Sequence, residues 1–199
     1  MKRILFLFLG IVSLFYSCKT QERIEIGQIL TPQGEMLILL SNETPVHKES
    51  FIRLAKEGYW DGLTFNRVIK DFVIQGGCPD TPEGFSNSPY LLKPEFRSSL
   101  KHVYGAIGAG RDDNPEELSA GCQFYIVDDK DGIPRLDNHY TVFGRVIKGL
   151  DVLERIANLP TDSNDTPLVS TTMDVNIINL KEKVMEVYQS KIKEHADSQ

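Results

Sequence analysis

Basic residues are outnumbered in this chain, with 22 Lys and Arg against 28 Asp and Glu and a net charge of -6 over 199 residues. A nucleic-acid-binding surface is therefore not its main business, and no basic run with interleaved aromatics argues otherwise. Cysteine is sparse, at three residues, and there is no C-x-x-C and no metal-spaced histidine cluster. The four histidines, His47, His102, His139 and His195, are scattered, and each reads as a surface or loop residue. No internal repeat occurs, so nothing points to a solenoid. The apolar fraction of 41% and charged fraction of 25% are those of a soluble globular protein. The length fits one domain plus extensions.

The apolar stretch Ile4–Tyr16, broken only by Gly10 and Ser13 and preceded by Lys2 and Arg3, is too short for an ordinary membrane span. It suits a signal-peptide core, over residues 1–17. Leu14-Phe15-Tyr16-Ser17-Cys18 resembles a bacterial lipobox, with a small residue before the Cys that would carry the lipid. Phe15 is bulky for that motif and equally bulky for A-x-A-like cleavage. The expectation is a lipid anchor on Cys18, a tether over residues 18–23, and a place in a bacterial cell envelope on the periplasmic or outer-membrane face. Secretion into the periplasm is the alternative. Loss of Lys2 and Arg3 leaves 20 basic and 28 acidic residues, near -8. Cys78 and Cys122 then remain, and they read as two buried free thiols before a pair.

Strand signals follow in order. Ile24-Glu25-Ile26 begins one and Glu35–Leu40 forms a second, joined through Thr31-Pro32-Gln33-Gly34 as a hairpin with a loop of several residues. Thr44 and Pro45 open a helix as cap and first residue. Phe51, Leu54 and Ala55 make its buried face, and Gly58 ends it. Pro79–Ser99 is a long loop punctuated by proline. Val103–Gly110 is a glycine-rich strand, where a ligand or another backbone comes close. Gln123–Val127 and Val142–Ile147 are further strands. Leu150, Leu153, Ile156 and Ala157 mark a second helix, and Val175–Leu180 a last strand. Eight strand candidates joined mostly by loops favour antiparallel pairing, which can close into a barrel with the two helices at its ends. Residues 181–199 form a charged amphipathic tail, with Val184, Tyr188 and Ile192 on one stripe and Met185 beside it, expected to dock on the barrel.

The stretch Phe65–Cys78 reads as two short strands joined at Lys70-Asp71. Alternation puts Phe65 and Arg67 on one face of the first, and Val73 and Gln75 on one face of the second. A guanidinium and an amide among apolar residues are costly unless something uses them. An arginine on the solvent side of a hairpin is the plain alternative.

Three motifs, in order and with compatible spacing, decide between these. They are Phe65-x-Arg67-Val68-Ile69-x-x-Phe72-x-Ile74-Gln75-Gly76-Gly77, then Ala120-Gly121-x-Gln123-Phe124-Tyr125-Ile126, then Leu136-Asp137-x-x-Tyr140-Thr141-Val142-Phe143-Gly144-x-Val146. Together they resemble the cyclophilin-type peptidyl-prolyl isomerases over residues 24–180. The resemblance implies a mainly β fold, a closed eight-stranded antiparallel barrel capped by two α-helices. It implies acceleration of X–Pro isomerisation in exported, folding polypeptides. Arg67 matches the catalytic arginine and Gln75 the glutamine that orders it. Phe72, Val73, Gly110, Arg111, Gln123, Tyr125, Leu136 and Tyr140 match substrate-binding positions. Arg135 stands where some members have Trp, which counts against tight binding of the inhibitor cyclosporin. The loop Asp112–Ser119 looks longer and more acidic than in compact members, so substrate preference beside the pocket would differ. A peptide-binding module that catalyses little is the alternative on the same fold.

The residue types fit the chemistry on their own. The X–Pro amide turns over a barrier of about 18–20 kcal/mol because its C–N bond is partly double. At the twisted transition state that resonance is lost and the nitrogen gains a lone pair. A charged donor aimed there stabilises the transition state more than the planar ground state. Arginine stays protonated and holds a rigid fork. The implied partners are proline-containing segments of unfolded or folding proteins, and a membrane through the Cys18 lipid. No nucleophile, metal or cofactor is needed.

Overall fold

The computed structural model of the chain describes residues 23–78 and 88–197. The signal peptide, Cys18 and the tether up to residue 22 lie outside these residues, as does the 79–87 part of the long loop.

The elements in order are β1 (Arg23–Thr31), β2 (Gly34–Leu40), α1 (Pro45–Lys56), β3 (Leu63–Thr64), β4 (Arg67–Ile69), β5 (Val73–Gly76), β6 (Leu91–Leu92), β7 (Ala106–Ala109), β8 (Ser119–Ala120), β9 (Phe124–Val127), β10 (Val142–Lys148), α2 (Leu150–Ala157), β11 (Thr172–Lys181) and α3 (Glu182–Asp197). A 3₁₀ turn covers Pro134–Leu136. The main sheet runs β3-β11-β1-β2-β10-β7-β9-β5-β4, and β6 pairs with β8 apart from it. Every pairing is antiparallel.

The fold is mainly β, with a curled antiparallel sheet, as expected. Its two end strands, β3 and β4, are separated in sequence only by Phe65-Asn66. Taken as one interrupted strand, 63–69 reduces the nine segments to eight. Phe65, buried between β3 and β4, still donates its N–H to the Thr171 carbonyl at 3.0 Å, which continues the β3–β11 register by one residue. The main core packs Ile38, Ile107, Phe124 and Ile126 from the sheet against Phe51 and Leu54 of α1 and Leu153 and Ile156 of α2. The β1–β2 hairpin is tighter than expected, with Thr31 opposite Gly34 and only Pro32-Gln33 between them.

Helix α1 ends as its sequence predicts. Gly58 takes a left-handed φ of 66°. Its N–H reaches the Ala55 carbonyl at 3.2 Å, and that of Tyr59 the Leu54 carbonyl at 3.0 Å, which satisfies two orphan acceptors. The helix start is different. Thr44 makes no side-chain cap. The carboxylate of Glu95 takes its place, accepting the N–H groups of Val46 at 3.3 Å and His47 at 3.0 Å. A negative group at this end also meets the positive pole of the helix dipole.

Two more expectations are corrected. Cys78 and Cys122 are not free thiols but form a disulfide, with Cα atoms 5.3 Å apart. They meet because β5 pairs with β9, bringing Gly76 opposite Phe124, so the residues just outside that pair come together. The tail does dock, through Tyr188 of the expected stripe and Met185 beside it rather than through Val184. Met185 is fully buried and Tyr188 partly so, packed with Ile26, Leu37 and Ile147 on the outer face of the sheet. Val184 stays 39% exposed. The sheet turns the helix so that an i, i+3 pair faces inward.

Candidate active site

The strand register lays polar side chains in a row. Arg67 of β4 is opposite Gln75 of β5, and Gln75 is opposite Tyr125 of β9. Directly opposed residues share a face and touch. Gly108 of β7 is next in the row, opposite Tyr125. A Cβ on Gly108 would lie 2.3 Å from the Tyr125 ring, so the glycine is what lets that ring lie over β7. This is the close approach that the glycine-rich strand signalled.

Arg67 donates from one terminal nitrogen to Gln75 Oε1 at 3.0 Å. Arginine only donates, so the oxygen of the Gln75 amide must face it. The Gln75 amide nitrogen then points the other way and donates to Gln123 Oε1 at 2.9 Å. Gln123 is itself buried. A Cβ on Gly110 would stand 2.2 Å from its oxygen, so Gly110 leaves the room that this amide occupies. On its other side Arg67 meets Asp165, with Oδ2 3.7 Å from Nε. Asp165 sits in a left-handed turn, φ 64°, whose carbonyl accepts the Val68 N–H at 2.8 Å. Asp162 braces that turn by accepting the N–H groups of Asn164 and Thr166.

These residues border a cavity of about 520 Å³, lined by Arg67, Phe72, Val73, Gln75, Gly110, Arg111, Asp112, Tyr125, Arg135, Leu136 and Tyr140. That volume suits a small ligand or a short stretch of chain. Val73, Tyr125, Phe72, Leu136 and Tyr140 make one apolar cluster. Of the candidate residues, Gln123 does not line the cavity but backs Gln75 from behind. Arg111 lies over the Tyr140 ring at 4.5 Å, and Arg135 over the Phe72 ring at 4.9 Å.

Beneath the floor is a relay that sequence reading missed. His102 is buried, contrary to the surface reading. Its Nδ1 is 2.9 Å from Asp137 Oδ1, and its Nε2 is 2.8 Å from the Tyr125 hydroxyl. With Asp137 anionic, Nδ1 carries the hydrogen and Nε2 accepts from the phenol. Burial pushes the His102 value below the ordinary 6.5, and the opposing pull of Asp137 does not restore it. Burial works to raise Asp137, but the His102 N–H groups and Lys101 outweigh it and hold the carboxyl below 3.8. Burial pushes the Tyr125 phenol far above 10. The ring is thus a neutral floor, fixed in place by a neutral imidazole. The only sequence signal was a histidine and an aspartate at 102 and 137, with nothing local to join them.

His47 is the second buried histidine, with Nδ1 2.7 Å from Glu95 Oε2 and Nε2 3.3 Å from Ser119 Oγ. Burial again lowers it, against the pull of Glu95. Both imidazoles therefore bind protons less readily in the folded chain than in the unfolded one. Below pH about 6.5 the unfolded state takes up more protons, so stability falls as pH falls. The urea midpoint at pH 5.5 is expected to lie below that at pH 7.5. The depressed carboxylates Glu95 and Asp137 add to the loss only under more acid conditions. An unchanged or higher midpoint at pH 5.5 would contradict two neutral buried histidines.

The family model described as "Cyclophilin type peptidyl-prolyl cis-trans isomerase/CLD" matches residues 24–180. The chain is 40% identical over 144 residues to peptidyl-prolyl cis-trans isomerase ppi1 of Schizosaccharomyces pombe, covering 71% of this chain and 90% of that one. Its fold is similar to a Cryptosporidium parvum cyclophilin type peptidyl-prolyl cis-trans isomerase crystallised in the presence of the dipeptide Ala-Pro. The TM-score there is 0.67 at 26% identity, over 77% of this chain and 98% of that one. A second crystal structure of the same Cryptosporidium protein gives a TM-score of 0.68 at 25% identity, over 79% and 98%.

Proposed function

The chain belongs to the cyclophilin-type peptidyl-prolyl cis-trans isomerases, and from that premise we propose that Arg67, held by Gln75, is the group that catalyses X–Pro rotation in the cavity between β4, β5, β7 and β9. The observation that carries this is the Arg67–Gln75–Gln123 chain, which leaves the guanidinium's remaining donors at the cavity wall. A proline ring fits against Phe72, Val73, Tyr125, Leu136 and Tyr140. Its nitrogen then faces Arg67 as it loses planarity. Gln75 and Asp165 together fix the plane of the guanidinium, so little reorganisation is needed at the moment of reaction. Gly110 and Arg111, at the exit of β7, are placed to meet the peptide backbone. The test is the relaxation of a cis-enriched X–Pro peptide with the wild-type chain beside Arg67→Ala. Equal acceleration by the two would sink the assignment and favour the peptide-binding alternative.

The substrates are proline-containing segments of folding polypeptides, in line with the Ala-Pro that accompanies the Cryptosporidium relative. Uncatalysed X–Pro isomerisation takes tens to hundreds of seconds and limits folding. The signal-like residues 1–17 and the lipobox-like Cys18 support a lipid-anchored role in the bacterial cell envelope, assisting exported chains. In detergent phase separation, the chain expressed in a lipidating bacterium enters the detergent phase and Cys18→Ala the aqueous phase. A wild-type chain found in the aqueous phase contradicts the anchor.

A further inference from the structure

The acidic chain places three arginines, Arg67, Arg111 and Arg135, around one cavity. We propose that the isomerase prefers proline segments with a carboxylate side chain next to the proline, and that Arg135 and Arg111 recognise it. This rests on the cavity being the X–Pro site. Arg67 has Gln75 and Asp165 as partners and is the donor assigned to the reacting nitrogen, so it is not the group that reads the neighbouring side chain. Arg135 is exposed and has no carboxylate within ion-pair distance among the described residues. It is positioned only by lying over the Phe72 ring. An arginine stacked on an aromatic face loses little freedom when it takes an anion.

Arg111 is the second element. Its side chain is 9% exposed, and its Nε is sealed from solvent with no acceptor among the described residues. Its other contacts are long: 3.4 Å to Glu117 Oε1, 3.4 Å to the Asp112 carbonyl and 3.5 Å to the His139 carbonyl. Such lengths are well beyond the usual 2.9–3.0 Å. A desolvated guanidinium this loosely satisfied gains from a closer carboxylate. Glu117 is shared between Arg111 and His139 at 3.4 Å each, and among the described residues Asp112 is the one carboxylate lining the cavity. The acidic loop therefore offsets part of the charge of Arg111 and leaves that of Arg135 in place. The two arginines lie over Tyr140 and Phe72, both in the apolar cluster that would receive the ring. A side chain flanking a seated proline is thus within their field.

The test uses peptides with Glu, Gln or Lys immediately before the proline, and a matching set with these residues immediately after it. Isomerisation by the full chain is followed by NMR exchange. Glu is expected to exceed its isostere Gln in kcat/KM by about three- to tenfold in at least one set at low salt, and by less at 0.5 M salt, because the site is open to solvent. Arg135→Glu is expected to reverse the order, with Lys leading. Glu no better than Gln in both sets overturns the proposal, as does an order that Arg135→Glu leaves unchanged. A chain active on the Gln peptides but indifferent to charge keeps the catalytic assignment and loses only this preference. Inactivity on every peptide overturns the placement of the reaction in this cavity.

Discussion

Arg67→Ala is expected to lower kcat for X–Pro isomerisation by about ten- to a hundredfold, with a small change in KM. A charge-assisted hydrogen bond is worth about 1.5–3 kcal/mol, which is one to two powers of ten in rate. The loss falls on kcat because the proline nitrogen has no usable lone pair in the planar ground state. Arg67→Lys is expected to recover only part, since an ammonium cannot bond Gln75 and aim a second donor in one plane. Folding is not expected to suffer, because the Arg67 side chain is 43% exposed and surface changes usually stay within about 0.5 kcal/mol. Activity and urea midpoint measured on the same preparations separate the two effects. Equal wild-type and variant rates, or a kcat loss matched by unfolding, would refute the role.

Trp60→Ala is expected to have the largest effect on stability, about 3–5 kcal/mol, against a total of about 5–15 kcal/mol for a domain of this kind. Trp60 is fully buried between Phe51 and Phe124, with ring centroids 4.9 and 5.6 Å away. Its indole N–H is shared by the carbonyls of Gly77 at 2.9 Å and Cys122 at 2.8 Å. The first adjoins Cys78 and the second belongs to Cys122, the other disulfide cysteine, which precedes Gln123. Removal leaves a cavity and two buried acceptors without a donor. Trp60→Phe keeps most of the packing and loses only the donor, about 1–3 kcal/mol for the unsatisfied groups. Chemical denaturation of both variants checks this. A loss below 1 kcal/mol for Trp60→Ala would mean that the site collapses around the missing ring.

The pieces of the candidate site that are legible in the sequence come from two kinds of signal. Alternation rightly put Val73 and Gln75 on one face, and both line the cavity, but it failed for Phe65, which is buried in the main core with Val68 while Arg67 lines the cavity. Gln123, Tyr125, Leu136 and Tyr140 came from motif spacing rather than periodicity. Asp165 reads as loop in the sequence, since nothing near it points 98 residues back to Arg67. Arg135 was noticed for what it replaces, while its seat over Phe72 came only from the packing. Glu95 displaced Thr44 as the cap of α1 because a carboxylate delivered by the loop bonds two N–H groups at once. Thr44 remains buried with its hydroxyl unpaired among the described residues.

What the sequence by itself determined is local. The apolar periods set most of the strands, both core helices and the Gly58 stop, because side-chain direction and backbone preference act within a few residues. The tertiary structure decided which distant groups meet: Cys78 with Cys122, His102 with Asp137 and Tyr125, and Met185 with the outer sheet face. The reason lies in strand order and register. They are properties of the whole packed sheet: a shift of one residue would send Tyr125 of β9 to the opposite face and part the loops and helix that the strands carry.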